Sequence, residues 1–265
     1  MHKVVVLIPV YNDPQGLEAA LLPLCQAAQN FDVLVVDDGS DPPIQLEPGR
    51  YPFRVILLRL DHNAGIAAAL NRGLRHILAD EYVYVARLDA WDRCKPERLA
   101  RQIAFLKENP EHAIVGCDVD FVDWEGRALY RYGPKLRHDH ILREMRYRPS
   151  FIHPAVMMRA AALRAIGPYS EEYPGSEDYE LFLRLLSRYQ GANLAEILVH
   201  VYLNPQGISL TQRRLLIRTR LQLQLKHFAW LNPHSYLGTL RTLSLSVVPY
   251  QLLYAIKCLV RPPGR

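Results

Sequence analysis

The chain has 265 residues, 49% of them hydrophobic and 22% charged, which argues against a disordered chain and allows one sizeable buried core. Its four cysteines lie far apart and without metal-ligand spacing, which argues against a disulfide framework and favours a reduced, cytoplasmic protein. The formal net charge of +5 is divided unevenly, because residues 1–196 hold 23 basic and 27 acidic groups and no Asp or Glu follows Glu196.

Strand and helix patterns alternate in the first half, which predicts an α/β fold with a mainly parallel, Rossmann-like sheet and crossover helices. The predicted strands are Val4–Val10, Phe31–Val36, Val55–Leu58, Tyr82–Leu88 and Ala113–Cys117, and the predicted helices begin at Asp13-Pro14, Gly65 and Pro96. Later patterns are more mixed, with strands over Phe151–Met158 and Ala195–Val201 and a helix over Asp178–Tyr189. Three strands end in turns that carry Asp or Asn, and we expect these turns to line one cleft because parallel strands bind ligands at their carboxyl ends.

Several segments between about Val4 and Ser209 resemble the family 2 glycosyltransferases, in the family's order and approximate spacing. They are VVVLIPVYND, VLVVDDGSDPP, NAGIAAALNRGL, ARLDAWDRCKPERLARQ, HPAVMMR and SEDYELFLRL. The resemblance implies a GT-A fold and an inverting enzyme that moves a sugar from a nucleotide-activated donor. It implies a catalytic domain over residues 1–210, with a nucleotide-binding half (1–118) and an acceptor-binding half (119–210).

Nucleotide-binding residues are implied by the same resemblance, and the residue types fit that role. The candidates are Pro9, Tyr11, Asp13, Asp38, Asn63, Arg72 and Asp89. A ring such as that of Tyr11 offers a flat surface to a base, and a carboxylate such as that of Asp38 can accept from N3–H of uracil or thymine. Backbone N–H groups at the helix start near Gly65 suit an anionic or hydroxyl-rich ligand. The alternative is a plain turn, which the same residue types favour.

The usual metal-binding position departs from the family pattern. Family members present an Asp-x-Asp pair after the fourth strand, and the second Asp holds a divalent cation; here the run is RLDAWD, with Trp91 at that position. Asn204 stands where the family commonly has a His of the metal shell. An indole cannot ligate a hard cation, so we hypothesise that Mn²⁺ or Mg²⁺ is bound weakly or is not needed. The alternative is a shifted site with Asp89 and Asp92 as ligands and His200 nearby.

Without a metal, other cations or helix N-termini must neutralise the donor diphosphate. Candidates lie in a basic stretch that contains Lys135, Arg137, His138, His140, Arg143, Arg146 and Arg148. The alternative for this stretch is a solvated loop.

Glu177-Asp178 opens a predicted helix, and the resemblance assigns the general base to Asp178. A carboxylate there would remove the proton of the acceptor hydroxyl as its oxygen attacks the anomeric carbon opposite the departing diphosphate. This displacement inverts the configuration and needs no covalent nucleophile. Glu177 and His153 are candidate contacts to the acceptor or the diphosphate. Acidic residues also favour helix starts for electrostatic reasons alone.

The tail, residues 211–265, is predicted to form a basic amphipathic helical extension. Its basic residues are Arg213, Arg214, Arg218, Arg220, Lys226, Arg241, Lys257, Arg261 and Arg265. Its apolar runs are too short and too polar to span a bilayer, so we expect contact with the anionic membrane surface. The alternative is packing on the catalytic domain or a partner subunit. No nucleic-acid motif accompanies the basic residues.

The resulting hypothesis is transfer of a sugar from a UDP- or dTDP-sugar to a glycan or lipid-linked acceptor in surface polysaccharide biosynthesis. The enzyme would work peripherally at the inner face of the cytoplasmic membrane. One alternative is a degenerate homologue that binds nucleotide and acts as a scaffold. Another is a sugar nucleotidyltransferase, although that class wants a Gly-rich, basic loop after the first strand, where this chain has Pro9 to Asp13.

Overall fold

A mixed β-sheet forms the centre of the molecule. The computed structural model describes residues 3–204, 211–248 and 250–260. Within them, the strands are β1 (Val4–Val10), β2 (Asp32–Asp37), β3 (Arg54–Arg59), β4 (Tyr84–Arg87), β5 (Arg93–Cys94), β6 (His112–Val122), β7 (Ala128–Tyr132), β8 (Met157–Arg159) and β9 (Gln190–Tyr202). Their order is β3-β2-β1-β4-β8-β6-β9-β5, with β7 beside β6. The first four strands pair in parallel, whereas β8 runs antiparallel to both β4 and β6.

Helices flank the sheet. They are α1 (Pro14–Leu24), α2 (Ile66–Ala79), α3 (Arg98–Glu108), α4 (His138–Glu144), α5 (Ala160–Ile166), α6 (Glu177–Leu186), α7 (Arg213–Lys226), α8 (Pro233–Val247) and α9 (Tyr250–Val260). The even-numbered residues of β1 pack with α1 and α3, whereas Val5 and Leu7 pack with α2 and α6. A strand between two helical layers must be apolar on both faces, which explains the continuous apolar run of β1.

The strand and helix predictions hold for the first half of the chain and fail locally in the second. The strand Val4–Val10 is confirmed, and the helix start at Asp13-Pro14 is confirmed because Asp13 caps α1. The predicted strand Phe151–Met158 is wrong over most of its length: a 3-10 turn occupies His153–Ala155, and only Met157–Arg159 is a strand. Proline has no N–H for a β-ladder, so Pro154 does not suit the interior of the predicted strand.

The predicted halves 1–118 and 119–210 share one sheet, because β6 runs without a break across residue 118 and pairs with β9 along its length. The predicted tail is helical, in the form of α7, α8 and α9. Residues 205–210 and 261–265, and therefore Arg261 and Arg265, lie outside the described residues.

Helix α7 and one face of α8 pack on the part of the chain that precedes residue 205. The side chain of Gln224 donates to the carbonyl oxygen of Tyr147 at 3.2 Å, and Arg146 donates to the carbonyl oxygen of His227 at 2.8 Å. Ser235 and Thr242 lie on the buried face of α8. Among the described residues, no helix combines the length and the apolar character that crossing a bilayer requires.

Candidate active site

The polar turns that follow β1, β2 and β3 are joined to one another by hydrogen bonds. The amide of Asn12 donates to the hydroxyl of Ser40 at 2.8 Å, and the Asn12 side chain accepts from the amide of Asp41 at 2.8 Å. The carboxylate of Asp38 accepts from the amides of Ala64 and Gly65 at 2.9 and 3.0 Å. The structure thus brings the predicted turns together at the carboxyl end of the parallel strands.

Gly39 is required where two of these turns approach each other. Its φ is +73°, and a Cβ at this position would collide with the backbone of His62 and Asn63. Only glycine combines this backbone conformation with the absence of a side chain.

The two aspartates after β2 have different roles. Asp37 is fully buried, and its carboxylate accepts from the amides of Ser40 and Ile44 at 2.9 and 3.2 Å, so it holds the turn itself. Asp38 holds the loop that leads into α2, because it accepts from the amides of Ala64 and Gly65, just before the first helical residue. Each carboxylate oxygen retains lone pairs, so the edge of Asp38 still has capacity to accept from a base.

The other nucleotide-binding candidates lie on β1, in the turns after β1 and β3, and on α2. Tyr11 is exposed after β1, Pro9 is half-buried within β1, and Asn63 accepts from the amide of Gly65 at 3.1 Å. Arg72 is half-buried on α2.

Trp91 forms a specific contact with Asp13 on the first of these turns. Its indole Nε1 donates to Oδ2 of Asp13 at 2.8 Å, while Oδ1 of Asp13 caps α1 by accepting from the amide of Gly16. The amide of Trp91 donates to the carbonyl oxygen of Gly16 at 2.8 Å. A Cβ on Gly16 would overlap the indole. Trp91 also packs on Tyr202, with ring centroids 5.5 Å apart. Its φ of 71° lies in the left-handed region, a conformation that persists only where contacts enforce it.

The carboxylates around Trp91 do not form a cation site. Asp89 pairs with Arg87, whereas Asp92 is turned inward, is 2% exposed and accepts from the amide of Tyr202 at 2.8 Å. His200 lies near Asp120 and Lys95 instead. No group of three His, Cys, Asp or Glu in the described ranges is arranged to hold a metal ion. Asp89 and Asp92, the two carboxylates of a shifted site, are thus each held by another group of the protein.

Arg87 and Arg98 hold the backbone beneath this turn. Arg87 is fully buried and donates to the carbonyl oxygen of Leu7 at 3.3 Å as well as to Asp89. Arg98 is also fully buried and donates to the carbonyl oxygens of Arg87 and Val156 at 2.9 and 3.1 Å. The two cations thereby join the ends of β4 and β8 next to Asp89.

Glu177 and Asp178 lie in the first turn of α6, in surroundings that favour their neutral forms. Burial, reinforced by the charge of Asp178, raises the pKa of Glu177 to about 7. Burial also raises the pKa of Asp178, and the charge of Asp89 acts in the same direction. The charge of Asp89, at the end of β4, thus acts on the predicted base.

His153 is buried beside the same site. Its Nε2 is 2.9 Å from the hydroxyl of Tyr169, and burial, with a contribution from Arg87, holds its pKa well below the usual value. Asn71 on α2 fixes Tyr169 by two hydrogen bonds to its backbone, at 2.8 and 2.9 Å. Sequence reasoning did not identify Asn71, because its partner is 98 positions away.

The basic stretch 135–148 is engaged in local contacts. Arg137 and Arg143 pair with Asp139, and Arg148 pairs with Glu144. Arg146 donates to the tail, as described above. The stretch contains the helix α4, and the side chains of Arg137 and Arg143 are exposed to solvent.

Two residues of the tail lie next to the start of α6, and sequence reasoning did not single them out. The hydroxyls of Ser176 and Thr219 are 3.0 Å apart and buried, and they join the start of α6 to α7. Arg220 follows Thr219 and interacts electrostatically with Asp178. No local pattern singles out Arg220 among the basic residues of the tail.

Comparison with known proteins identifies the family. The model described as glycosyl transferase family 2 matches residues 5–167, more than half of the chain. The chain belongs to glycosyl transferase family 2. The amylovoran biosynthesis glycosyltransferase AmsE of Erwinia amylovora is 32% identical over 203 residues, which cover 74% of each chain. An uncharacterized glycosyltransferase of Haemophilus influenzae is 31% identical over 209 residues, which cover 75% of each.

Solved structures of glycosyltransferases share the fold. Residues 1–349 of S. aureus TarS, in complex with UDP-GlcNAc, match with a TM-score of 0.66 at 18% identity, over 92% of this chain and 72% of that one. The Pyrobaculum calidifontis mannosyltransferase PcManGT, in complex with GDP-Man and Mn²⁺, matches with a TM-score of 0.63 at 18% identity, over 97% and 74%. This family 2 member is therefore a glycosyltransferase with the GT-A fold, as the sequence predicts.

Proposed function

We propose that the protein is an inverting glycosyltransferase that moves a sugar from a UDP- or dTDP-sugar to a glycan or lipid-linked acceptor, with Asp178 as general base. The observation that supports the proposal is that the charge of Asp89, which follows β4 next to the contact of Trp91 with Asp13, acts on the buried carboxyl group of Asp178. A transferase must hold the donor and activate the acceptor within one site. We assign Asp89 to the donor side of that site and Asp178 to the acceptor side.

The proposed chemistry is a single displacement. Asp178 takes the proton of the acceptor hydroxyl while that oxygen bonds to the anomeric carbon, and the nucleoside diphosphate leaves from the opposite face with the electron pair of the broken bond. A carboxylate whose pKa is raised, as burial raises that of Asp178, is a stronger base in its ionised form. The buried cation Arg87 lies beneath Asp89, on the donor side of this pair.

The relatives support the setting and the class of donor. A relative at 32% identity is named for amylovoran biosynthesis, which supports a role in surface polysaccharide assembly. One fold neighbour binds UDP-GlcNAc, which supports a nucleotide-sugar donor. The second binds GDP-Man, so the preference for uracil or thymine rests on Asp38 and its free accepting capacity.

Incubation with a panel of UDP- and dTDP-sugars is expected to release the nucleoside diphosphate slowly, because water can replace the acceptor in the displacement. Release can be followed with an enzyme-coupled assay, and a GDP-sugar provides the comparison for the base. Binding without any release, even with simple glycosides as acceptors, would favour the scaffold alternative. Formation of nucleoside triphosphate on addition of pyrophosphate would favour a sugar nucleotidyltransferase.

We further propose that a divalent cation is bound weakly or is not needed. The support is Trp91, which fills the family's metal position and is held there by Asp13 and Gly16. Asp92 cannot turn outward without giving up its bond to the amide of Tyr202.

Removal of metal is therefore expected to leave donor binding nearly unchanged. Titration calorimetry with UDP and dTDP in EDTA, and again with Mn²⁺ or Mg²⁺, should give dissociation constants that agree within about twofold, because no carboxylate pair bridges a cation to the diphosphate. An enhancement by metal of about tenfold or more would contradict this proposal.

We also propose that the C-terminal helices bind the surface of the cytoplasmic membrane. Exposed apolar side chains follow one face of α8 and continue on α9; they are Tyr236, Leu237, Leu240, Leu243, Val247, Leu252, Ile256, Leu259 and Val260. Trp230 and Leu231 are exposed just before α8. The tail also carries nine basic residues and no acidic one, and a basic segment with an exposed apolar helix face suits an anionic bilayer surface.

A further inference from the structure

Arg220 differs from its exposed neighbours on α7 because its Nε is buried and because it interacts electrostatically with Asp178. Arg214 and Arg218 are exposed on the same helix. Arg241, on α8, donates to the carbonyl oxygen of Tyr147 at 3.4 Å. Arg220 instead interacts electrostatically with Tyr179, Asp178 and Tyr132, and the contact of Thr219 with Ser176 fixes its position on α7.

The guanidinium of Arg220 is incompletely satisfied. Its Nε is buried and has no hydrogen-bond partner among the described residues. Burial lowers the pKa of Arg220, against the influence of Tyr179 and Asp178. Because a buried cation is costly without a partner that accepts its hydrogen bonds, this group is suited to an anionic ligand that enters the site.

Negative charge collects at the proposed transfer site, and a further cation there would offset it. Asp89, Glu177 and Asp178 place carboxyl groups there, and the donor brings a diphosphate. Arg87 is committed to Asp89 and to backbone carbonyl oxygens, and Asp89 and Asp92 are each held by another group of the protein. A guanidinium matches a phosphate well, because its planar fork makes two parallel hydrogen bonds.

We propose that Arg220 is a substrate-binding residue of the transfer site, whose guanidinium binds a phosphate group of the substrates. The proposal rests on the proposed transfer reaction. The phosphate can come from the donor diphosphate or from a lipid-linked acceptor, and the chemistry of recognition is the same in both cases. Helix α7 is then part of the active site, and it also connects that site to the proposed membrane-binding helices α8 and α9.

Binding measurements with the full chain test this role directly. Calorimetry in EDTA would compare the wild type with Arg220→Gln, Arg220→Lys and the matched surface control Arg218→Gln. The probes are UDP, dTDP, UMP, uridine and farnesyl diphosphate, a short stand-in for a lipid-linked phosphate.

Arg220→Gln is expected to weaken binding of one class of diphosphate by more than about tenfold, with Arg220→Lys intermediate and Arg218→Gln unchanged. Thermal melting shows whether each variant is folded. If Arg220→Gln is unfolded, the affinities of Arg220→Lys are compared with those of the wild type instead.

Each outcome decides one part of the proposal. A loss confined to UDP and dTDP assigns the phosphate to the donor, and a loss confined to farnesyl diphosphate assigns it to the acceptor. Unchanged affinity for both classes would overturn the role of Arg220, as would an equal loss for uridine, which has no phosphate. Absence of nucleotide binding by the wild type would instead overturn the proposed donor, while the farnesyl diphosphate comparison would still decide on Arg220.

Discussion

The Asp178→Asn variant is expected to lose sugar transfer by about 10³-fold while it binds nucleoside diphosphate within a few-fold of the wild type. Asparagine preserves the size of the side chain and its ability to accept from the amide of Tyr179, a bond of 2.7 Å in the wild type, but it cannot take a proton. General base catalysis by a positioned side chain contributes about 10²- to 10⁴-fold. Transfer rates and calorimetric affinities, measured on the same preparation, separate the two properties.

Two comparisons make this result specific. Glu171→Gln, at an exposed acidic position before α6, is expected to leave transfer unchanged. The wild-type rate should fall as the pH drops through the raised pKa of Asp178, because the protonated group is no base, and this acid limb should be absent from the residual activity of Asp178→Asn. Transfer at the wild-type rate by Asp178→Asn would remove the catalytic assignment.

The Leu240→Glu/Leu243→Glu variant is expected to lose binding to anionic vesicles by about tenfold or more. Both leucines are exposed, at 63% and 46%, on the apolar face of α8. Burial of a leucine side chain stabilises by about 1.5–3 kcal/mol, and a glutamate is in addition repelled by the anionic surface. Cosedimentation with phosphatidylglycerol vesicles measures the bound fraction, and nucleotide affinity shows that the site is intact.

The matched control places the same two charges elsewhere in the tail. Gln222 and Ser246 are exposed polar positions on α7 and α8, so Gln222→Glu/Ser246→Glu should retain most of the binding. Equal binding by wild type and Leu240→Glu/Leu243→Glu would show that α8 does not contact the bilayer. Binding to purely zwitterionic vesicles as strong as to anionic ones would remove the role of the basic residues.

Local signals predicted the elements of the first half well, because those elements depend on neighbouring residues. The run Val4–Val10 is apolar on both faces, and the Asp13-Pro14 step carries both the cap and the first helical residue of α1. By contrast, β5 has two residues and exists only through its pairing with β9. Such a strand leaves no pattern of its own in the sequence.

The site was predictable where it follows the ends of strands and unpredictable where it depends on distant partners. The turn at Asp38 and the carboxyl pair at Glu177-Asp178 are visible in the sequence. The partner of Trp91 is not, because Asp13 is 78 positions away. The place of Arg220 depends on a contact between Thr219 and Ser176 across 43 positions, and the tail therefore looked like an appendage.

The bond between Trp91 and Asp13 makes the departure from the family's metal position difficult to reverse. A change of Trp91 to aspartate would place a second carboxylate against Asp13 and leave a void over Gly16, where the indole now lies. It would also keep a left-handed backbone at a residue whose side chain no longer enforces it. A return to a cation site would thus have to pass through a less stable protein or change several residues together. The contact with Asp13, in the turn after β1, therefore favours tryptophan at position 91.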